Sequence, residues 1–202
     1  MTTTSRPLRV VAVSGSLTAP SRTTALVEAI GAAFGAVIPV ETHLITLHDL
    51  GPHLGGALTR KQLPEVAEAE LQRIENADLL IVATPVYRAS FTGLFKYLFD
   101  FVDQYALVDT PVLLAATGGS ERHALIIEHQ LRPLFGFFQS LALPVGVYAH
   151  DSDFENYAVA NPELTERIEK AVARALPLVR SSLEEREVIE RALAGEEVVV
   201  SD

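Results

Sequence analysis

The sequence predicts an α/β fold in which helices cover both faces of a parallel β-sheet. Short apolar runs alternate five times with segments whose apolar residues recur at helical spacing. Two of the runs, Leu79–Ala83 and Val112–Ala116, are apolar throughout, which is typical of strands that are buried on both faces. The chain has 202 residues, of which 49% are hydrophobic, and this is enough for one full-sized core.

The predicted strands and helices follow one another in regular order. We expect strands at Leu8–Val13, Val40–Ile45, Leu79–Ala83, Val112–Ala116 and Val145–Ala149. We expect helices at Arg22–Phe34, Glu65–Asn76, Thr92–Val102, Glu121–Leu141 and from Pro162, with Asn161 as N-cap, to about Ser182. Five such units favour the strand order 2-1-3-4-5 of the flavodoxin-like three-layer sandwich, and another five-stranded doubly wound sheet is the alternative.

The end of the chain differs in composition from the rest. Residues 1–183 make up the predicted domain, and residues 184–202 form a charged tail in which Glu184–Ala194 has the pattern of a short helix. We interpret this tail as a mobile or subunit-contacting segment and assign it no chemistry.

Charge and cysteine content exclude several classes of function. The chain carries 16 Lys and Arg against 26 Asp and Glu, a net charge of -10, which argues against nucleic acid and anionic membranes as partners. It has no cysteine and therefore no disulfide or thiolate chemistry. His43, His48 and His53 lie five residues apart without a ligand pattern, so we predict no metal site. The N-terminal residues lack the apolar stretch of a signal peptide, and we expect a cytoplasmic protein.

The loop after the first strand has the composition of a phosphate site. Residues 14–24 supply several hydroxyls, the flexible Gly15 and one cation, Arg22, at the N-terminus of a predicted helix. The loop has neither the lysine of a Walker A motif nor the pattern Gly-x-Gly-x-x-Gly, so a monophosphate is favoured over a triphosphate. An ordinary helix-capping loop is the alternative.

Two further loops are suited to a flat ring. In residues 83–90, Pro85 stiffens the chain and Tyr87 offers an aromatic face. In residues 117–120, Gly118 and Gly119 permit close approach of the main chain and positive φ angles. Each loop alone is equally consistent with a simple turn. Since ligands of open parallel sheets bind beyond the carboxyl ends of the strands, the three loops together describe a site for flavin mononucleotide (FMN).

Three motifs carry a resemblance to a known family. Residues 13–16 and 20–23 read Val-Ser-Gly-Ser and Pro-Ser-Arg-Thr, residues 83–88 read Ala-Thr-Pro-Val-Tyr-Arg, and residues 116–125 read Ala-Thr-Gly-Gly-Ser-Glu-Arg-His-Ala-Leu. Over residues 8–182 the chain resembles the NAD(P)H-dependent FMN reductases of two-component alkanesulfonate monooxygenase systems, especially the methanesulfonate-linked ones. The resemblance implies that the FMN phosphate is held by Ser16, Ser21, Arg22 and Thr23, and the isoalloxazine by Pro85, Val86, Tyr87, Arg88, Gly118, Gly119 and Ser120.

The resemblance also implies an activity and partners. NADH or NADPH would pass a hydride from its C4 to flavin N5, without a catalytic side chain, and reduced FMN would serve a partner monooxygenase. A homo-oligomer, a dimer or a tetramer, is expected. Many relatives have arginine where this chain has Thr18, so Arg22 would carry more of the phosphate charge and FMN affinity would be lower. An FMN-bound quinone or azo reductase and a flavodoxin-type electron carrier are the alternatives.

Pro133 interrupts the predicted fourth helix. A proline there has no N–H for the carbonyl of His129, and its ring crowds that carbonyl. An inserted residue, which makes a π-bulge, is one way to absorb such a fault, and a plain kink is the other. In the family that the chain resembles, a π-helix lies in this helix at the tetramer interface, and His129 matches its inserted position. We therefore predict a π-bulge near His129 that lies at a subunit interface and affects flavin retention.

Overall fold

The computed structural model describes residues 6–193, and a parallel sheet forms its centre. The strand order is β2-β1-β3-β4-β5, and β6 also pairs with β4. The strands are β1 Leu8–Ser14, β2 Val40–Thr46, β3 Leu79–Pro85, β4 Pro111–Gly118, β5 Leu141–Ala142 and β6 Val147–His150, followed by a small antiparallel pair, β7 Phe154–Glu155 and β8 Ala158–Val159. The predicted flavodoxin-like order is confirmed.

Helices cover both faces of the sheet and bury one apolar cluster on each. They are α1 Arg22–Gly35, α2 Leu47–Leu54, α3 Glu65–Glu75, α4 Gly93–Phe99, α5 Arg132–Phe137 and α6 Pro162–Leu193. Helices α1 and α6 pack on one face, and α2, α3, α4 and α5 pack on the other. Helix α2, which contains Pro52, was not predicted. None of the helices within the described residues combines the length and the apolar character needed to cross a membrane.

The outer strand beside β4 is divided in two. β5 pairs with the beginning of β4 and β6 with its end. The break contains Pro144, which has no N–H to donate to a neighbouring strand. The predicted strand Val145–Ala149 therefore begins later than expected, at Val147. Gly146 lies in the break so close to the π-helix that a Cβ there would be 2.7 Å from Cγ2 of Ile127 and 3.0 Å from a β4 carbonyl oxygen.

The segment after β4 is not the single helix that we predicted. It consists of a 3-10 helix at Glu121–Leu125, a π-helix at Ile127–Leu131 and the short α5. The π-helix contains His129 and lies directly before Pro133, as predicted, and the N–H of Arg132 bonds back over five residues to the carbonyl of Ile127. The predicted end at Leu141 is wrong, because that residue lies in β5.

Helix α6 extends beyond its predicted end near Ser182. It continues to Leu193, so residues 184–193 belong to this helix and do not form a separate short one. Arg186, on the added part, donates to the carbonyl of Ala77 at 3.2 Å and to Oγ1 of Thr110 at 3.1 Å. These bonds hold the added turns against the ends of the strands. The remainder of the predicted tail, 194–202, lies outside the described residues.

Asp78 ties both ends of the described chain to the sheet. Its buried carboxylate accepts hydrogen bonds from the side chains of Arg6 and Arg9, and Arg186 lies 3.5 Å away. Burial by itself would raise the pKa of Asp78, but the hydrogen bonds from Arg6 and Arg9 outweigh it and hold the pKa well below its ordinary value. The carboxylate therefore stays charged at neutral pH.

Candidate active site

A crevice of about 320 Å³ opens at the carboxyl ends of β1, β3, β4 and β6. This volume lies in the range of small-molecule sites. The crevice is lined by Ser16, Thr18, Pro20, Ser21, Arg22, Thr23, Pro85, Val86, Tyr87, Thr117, Gly118, Gly119, Asp151 and Tyr157. The structure thus brings all the residues predicted from the three loops together except Arg88 and Ser120, which do not line the crevice.

The loop after β1 presents hydroxyls at the N-terminus of α1. Ser21 is the N-cap, and its Oγ accepts two amides of the first turn at 3.1 and 3.3 Å. Thr23 is buried, and its Oγ1 lies 2.7 Å from Oγ1 of Thr117, which joins the loop to the end of β4. Ser16 is buried beside them. Because the N-terminus of this 14-residue helix is electropositive, the arrangement is suited to an anion.

Gly15 lets this loop pass close to β3 and α4. The N–H of Gly15 donates to the carbonyl of Ala83 at 2.7 Å, and the carbonyl of Gly15 accepts a hydrogen bond from Oγ1 of Thr92 at 3.2 Å. A Cβ at residue 15 would lie 2.9 Å from Cδ2 of Phe95 and 3.0 Å from the oxygen of Ala83. Glycine is therefore required here for space.

The loop after β3 is a tight turn with two strained residues. Tyr87 and Ser90 exchange backbone hydrogen bonds of 2.9 and 3.1 Å, and Arg88 and Ala89 between them have φ angles of 51° and 66°. Two consecutive positive φ angles are the pattern of a type I′ turn, which residues other than glycine and asparagine rarely adopt. The turn leaves the Tyr87 side chain 48% exposed on the crevice wall and places Arg88 at its apex.

The two glycines after β4 are needed for close approach. A Cβ on Gly118 would lie 2.8 Å from the hydroxyl of Tyr148 and 3.1 Å from Nδ1 of His123, and one on Gly119 would lie 3.2 Å from Oδ2 of Asp151. Neither glycine has the positive φ angle that we had considered. The main chain of these two glycines therefore lines the crevice directly, as its floor.

Ser120 and Tyr148 join the loop after β4 to β6. The Tyr148 hydroxyl donates to the carbonyl oxygen of Ser120 at 2.6 Å. Burial raises the pKa of Tyr148 above its ordinary value, so the phenol keeps its proton and its role as donor. The Ser120 hydroxyl accepts the amide of Arg122 at 3.4 Å. Ser120 therefore supports the loop and does not line the crevice.

A fourth loop, which follows β6, completes the crevice and was not predicted. Oδ1 of Asp151 lies 3.5 Å from Nη1 of Arg22, and Cζ of Arg22 lies 5.8 Å from the ring centroid of Tyr157. Tyr157 and Asn156 form the two-residue turn between β7 and β8, with φ angles of 62° and 49°. The polar run that begins at Asp151, directly after the fifth apolar run, was the signal available in the sequence.

Asp153 anchors this fourth loop. Its buried carboxylate accepts the amide of His150 at 2.8 Å and the side-chain amide of Asn161 at 2.6 Å, and Arg167 donates to it at 3.2 Å. Asn161 is also the helix cap that we predicted, since its side-chain oxygen accepts the amide of Glu163 at 3.0 Å. The loop is thereby fixed on both sides of its turn.

The residues of the crevice fit an FMN molecule. Hydroxyls, helix amides and Arg22 stand around the N-terminus of α1, and this part of the crevice, its phosphate end, is where a phosphate would be held. Tyr87 and the main chain of Gly118 and Gly119 also line the crevice, and the lack of side chains on the two glycines leaves room for a flat ring. The hydroxyl-rich loop of residues 14–24 contains no lysine for a triphosphate.

Residues 8–155 match the family model described as NADPH-dependent FMN reductase. The chain belongs to this family. As a member, it is an oxidoreductase with FMN as its flavin and a reduced nicotinamide as the electron donor, which removes the flavodoxin-type electron carrier from the candidates.

Relatives and solved structures agree with this membership. The chain is 58% identical to the NADH-dependent FMN reductase SfnF of Pseudomonas fluorescens, over 89% of this chain and 96% of the relative. It is 54% identical to an FMN reductase (NADPH) of Pseudomonas aeruginosa, over 85% of this chain and 92% of the relative. Among solved structures it is similar to the apo form of the NADH:FMN oxidoreductase EmoB, with a TM-score of 0.75 and 32% identity over 86% of this chain and 89% of that one.

Proposed function

We propose that this reductase treats FMN as a substrate, reduces it with NADH or NADPH and releases it to a partner flavin-dependent monooxygenase of the alkanesulfonate type. The observation that carries the proposal is the open, hydroxyl-lined phosphate end of the crevice. Its cation, Arg22, is half-exposed and already paired with a carboxylate, which favours a modest grip on FMN. The resemblance of the site motifs to two-component reductases supports the partner class. A cytoplasmic location is part of the same proposal.

The residues of the crevice have positioning roles in the proposed reaction. When bound, FMN supplies the chemistry by accepting a hydride at N5 from C4 of the nicotinamide. Ser16, Ser21, Arg22 and Thr23 hold the phosphate, and Tyr87 with the glycine floor flanks the ring. The protein would contribute by holding the flavin and the nicotinamide in position, which requires no acid–base pair of side chains. Among the described lining residues Arg22 is the one cation, which favours NADH or mixed use over a strict NADPH preference.

Anaerobic turnover followed by ultrafiltration tests this proposal. The protein is mixed with excess NADH or NADPH and excess FMN, and reduced FMN is measured in the filtrate. We expect many equivalents of reduced FMN per protein and a rate that saturates with added FMN. Reduction confined to one equivalent of retained flavin, with fast turnover of a quinone or azo dye, would instead identify a reductase with bound FMN.

A matched pair of variants tests the phosphate end. Arg22→Gln should raise the KM for FMN by roughly tenfold, because a charge-assisted contact to the phosphate is lost. Riboflavin, which has no phosphate, should be reduced equally well by this variant and by the unchanged protein. Arg174→Gln removes the same charge from an exposed site on α6 and should leave both KM values unchanged. An equal loss with both flavins would contradict the assigned role of Arg22.

We also propose that the segment from residue 121 to residue 138 forms a subunit interface of a dimer or tetramer. Leu125 and Phe137 on this segment are 61% and 62% exposed, and large apolar side chains in solvent are typical of contact surfaces. Deletion of His129 removes the residue inserted in the π-helix and should lower the oligomeric state in sedimentation velocity and loosen flavin retention. Unchanged sedimentation, retention and kinetics would dismiss the role of the π-helix.

A further inference from the structure

We propose that Asp151 weakens the hold of the crevice on the flavin phosphate and so promotes release of FMN after reduction. The inference rests on the proposed function, because it treats FMN as a substrate that leaves. It assigns a role to a carboxylate that lies in the same crevice as the phosphate-binding hydroxyls. A negative charge at this place is unexpected in a site for a dianion.

Asp151 and the proposed phosphate compete for one guanidinium. Oδ1 of Asp151 lies 3.5 Å from Nη1 of Arg22, and the two side chains are 47% and 45% exposed. A half-exposed pair of this kind adds little to folding stability, so stability does not explain the carboxylate. A phosphate that binds Arg22 would displace this contact or lie beside a second negative charge. Either outcome lowers the affinity for FMN.

The backbone that carries Asp151 is held beside the crevice by Asp153. Asp151 stands between His150 and Asp153, and the amide of His150 is bound to the buried Asp153 at 2.8 Å. Oδ2 of Asp151 lies 3.2 Å from the position of a Cβ on Gly119, at the crevice floor. The backbone of the loop is therefore fixed, and the carboxylate stays close to the phosphate end.

Arg22 has a second support that does not involve charge compensation. The centroid of the Tyr157 ring, in the turn between β7 and β8, lies 5.8 Å from Cζ of Arg22. If Asp151 is neutralised, this contact still holds the guanidinium near the crevice. The carboxylate is thus dispensable for placing Arg22, and its removal should strengthen phosphate binding.

The test compares binding of FMN and riboflavin to Asp151→Asn, measured anaerobically without nicotinamide by quenching of flavin fluorescence. The substitution preserves size, and the side chain is half-exposed, so the variant should fold. We expect the Kd for FMN to fall by roughly fivefold, the effect of one solvated charge contact, and the Kd for riboflavin to stay the same. The gain should shrink in 0.5 M salt, at roughly a 4 Å Debye length.

Glu41→Gln is the matched control. Glu41 is exposed near the amino end of β2, whereas the crevice lies at the carboxyl ends of the strands. Its replacement changes the net charge by the same amount. This variant should bind both flavins as the unchanged protein does. An equal gain in both variants would show a general charge effect and overturn the assignment to Asp151.

Two further outcomes would overturn the proposal. An unchanged FMN Kd in Asp151→Asn would show that the carboxylate does not act on the phosphate, and a weaker Kd would show that it positions Arg22 for binding. In stopped-flow displacement, the dissociation rate of FMN should fall in Asp151→Asn. These binding measurements need no turnover, so they test the role of Asp151 separately from the proposed function. If the protein failed to release reduced FMN during turnover, the proposed function would be refuted. The ratio of the Kd values of the unchanged protein and Asp151→Asn would still decide the role of Asp151.

Discussion

Replacement of Gly15 with alanine should destabilise the protein and displace the loop after β1. The new Cβ would lie 2.9 Å from Cδ2 of Phe95, 3.0 Å from the oxygen of Ala83 and 3.2 Å from Cα of Thr84. Ordinary carbon contacts are about 3.5–4.0 Å. Two of the three atoms belong to the backbone of a central strand and cannot turn aside. Overpacking of this kind costs about 2–3 kcal/mol, or about 4–12 °C in Tm for a domain of this size.

Urea unfolding followed by circular dichroism measures this loss, and the Kd for FMN reports the displaced loop. Gly93→Ala is the control, because no atom lies within 4 Å of the added methyl and the residue is the first of α4. It should be neutral or stabilise by up to about 1 kcal/mol, as alanine has the higher helix propensity. If Gly15→Ala unfolded at the same urea concentration as the unchanged protein, close packing would not be the reason for glycine at this position.

Three other substitutions have expected outcomes that can be measured by the same unfolding assay. Asp78→Asn should lower the free energy of unfolding by roughly 2 kcal/mol at pH 7, because the charged hydrogen bonds from Arg6 and Arg9 are lost. The loss is limited because both arginines are partly exposed and can bind water instead. Because folding lowers the pKa of Asp78, its contribution is complete above the unfolded value of about 4 and is lost as the pH falls below it, so the difference from Asp78→Asn should shrink in acid. Thr23→Val should cost about 1–2 kcal/mol by leaving the buried Thr117 hydroxyl without its partner, and adding Thr117→Val should recover part of that loss; strictly additive losses would speak against the bond. Ala89→Gly should raise stability by about 0.5–1 kcal/mol by relieving its positive φ angle, and a lower Tm would argue against strain in the turn.

The fold followed from periodicity, and its departures have local causes. Apolar runs predicted the positions of the central strands, because strands buried on both faces have few polar positions, and their alternation with helices predicted the strand order. Pro144 divided the outer strand, and pairing of residues 141 and 142 with β4 overrode their helical pattern. Helix α6 continued past Ser182 because Arg186 finds partners on the strand ends, a long-range contact that no local pattern contains.

The candidate site could be located from the sequence because three loops of unusual composition follow strands that end at the same edge of the sheet. The hydroxyl-rich loop and the two glycines have distinctive compositions, so they could be assigned from the sequence alone. The place of Arg88 at the apex of a tight turn, outside the residues that line the crevice, depends on a backbone conformation that its sequence does not indicate. Asp151 and Tyr157 were missed because a polar turn after an outer strand is common. Their relation to Arg22 depends on how close the fold brings two loops that are far apart in the sequence.

The close fit of Gly146 against Ile127 connects two distant surfaces of the molecule. On one side of the contact is the π-helix, and on the other is Gly146, five residues before Asp151 in the loop after β6. Little free space remains at this contact, because a Cβ at residue 146 would also lie 3.0 Å from the carbonyl oxygen of Leu114 in β4. We therefore expect a displacement of the π-helix to shift the loop that carries Asp151. Crosslinking of the segment that contains the π-helix should alter the flavin dissociation rate in the native protein.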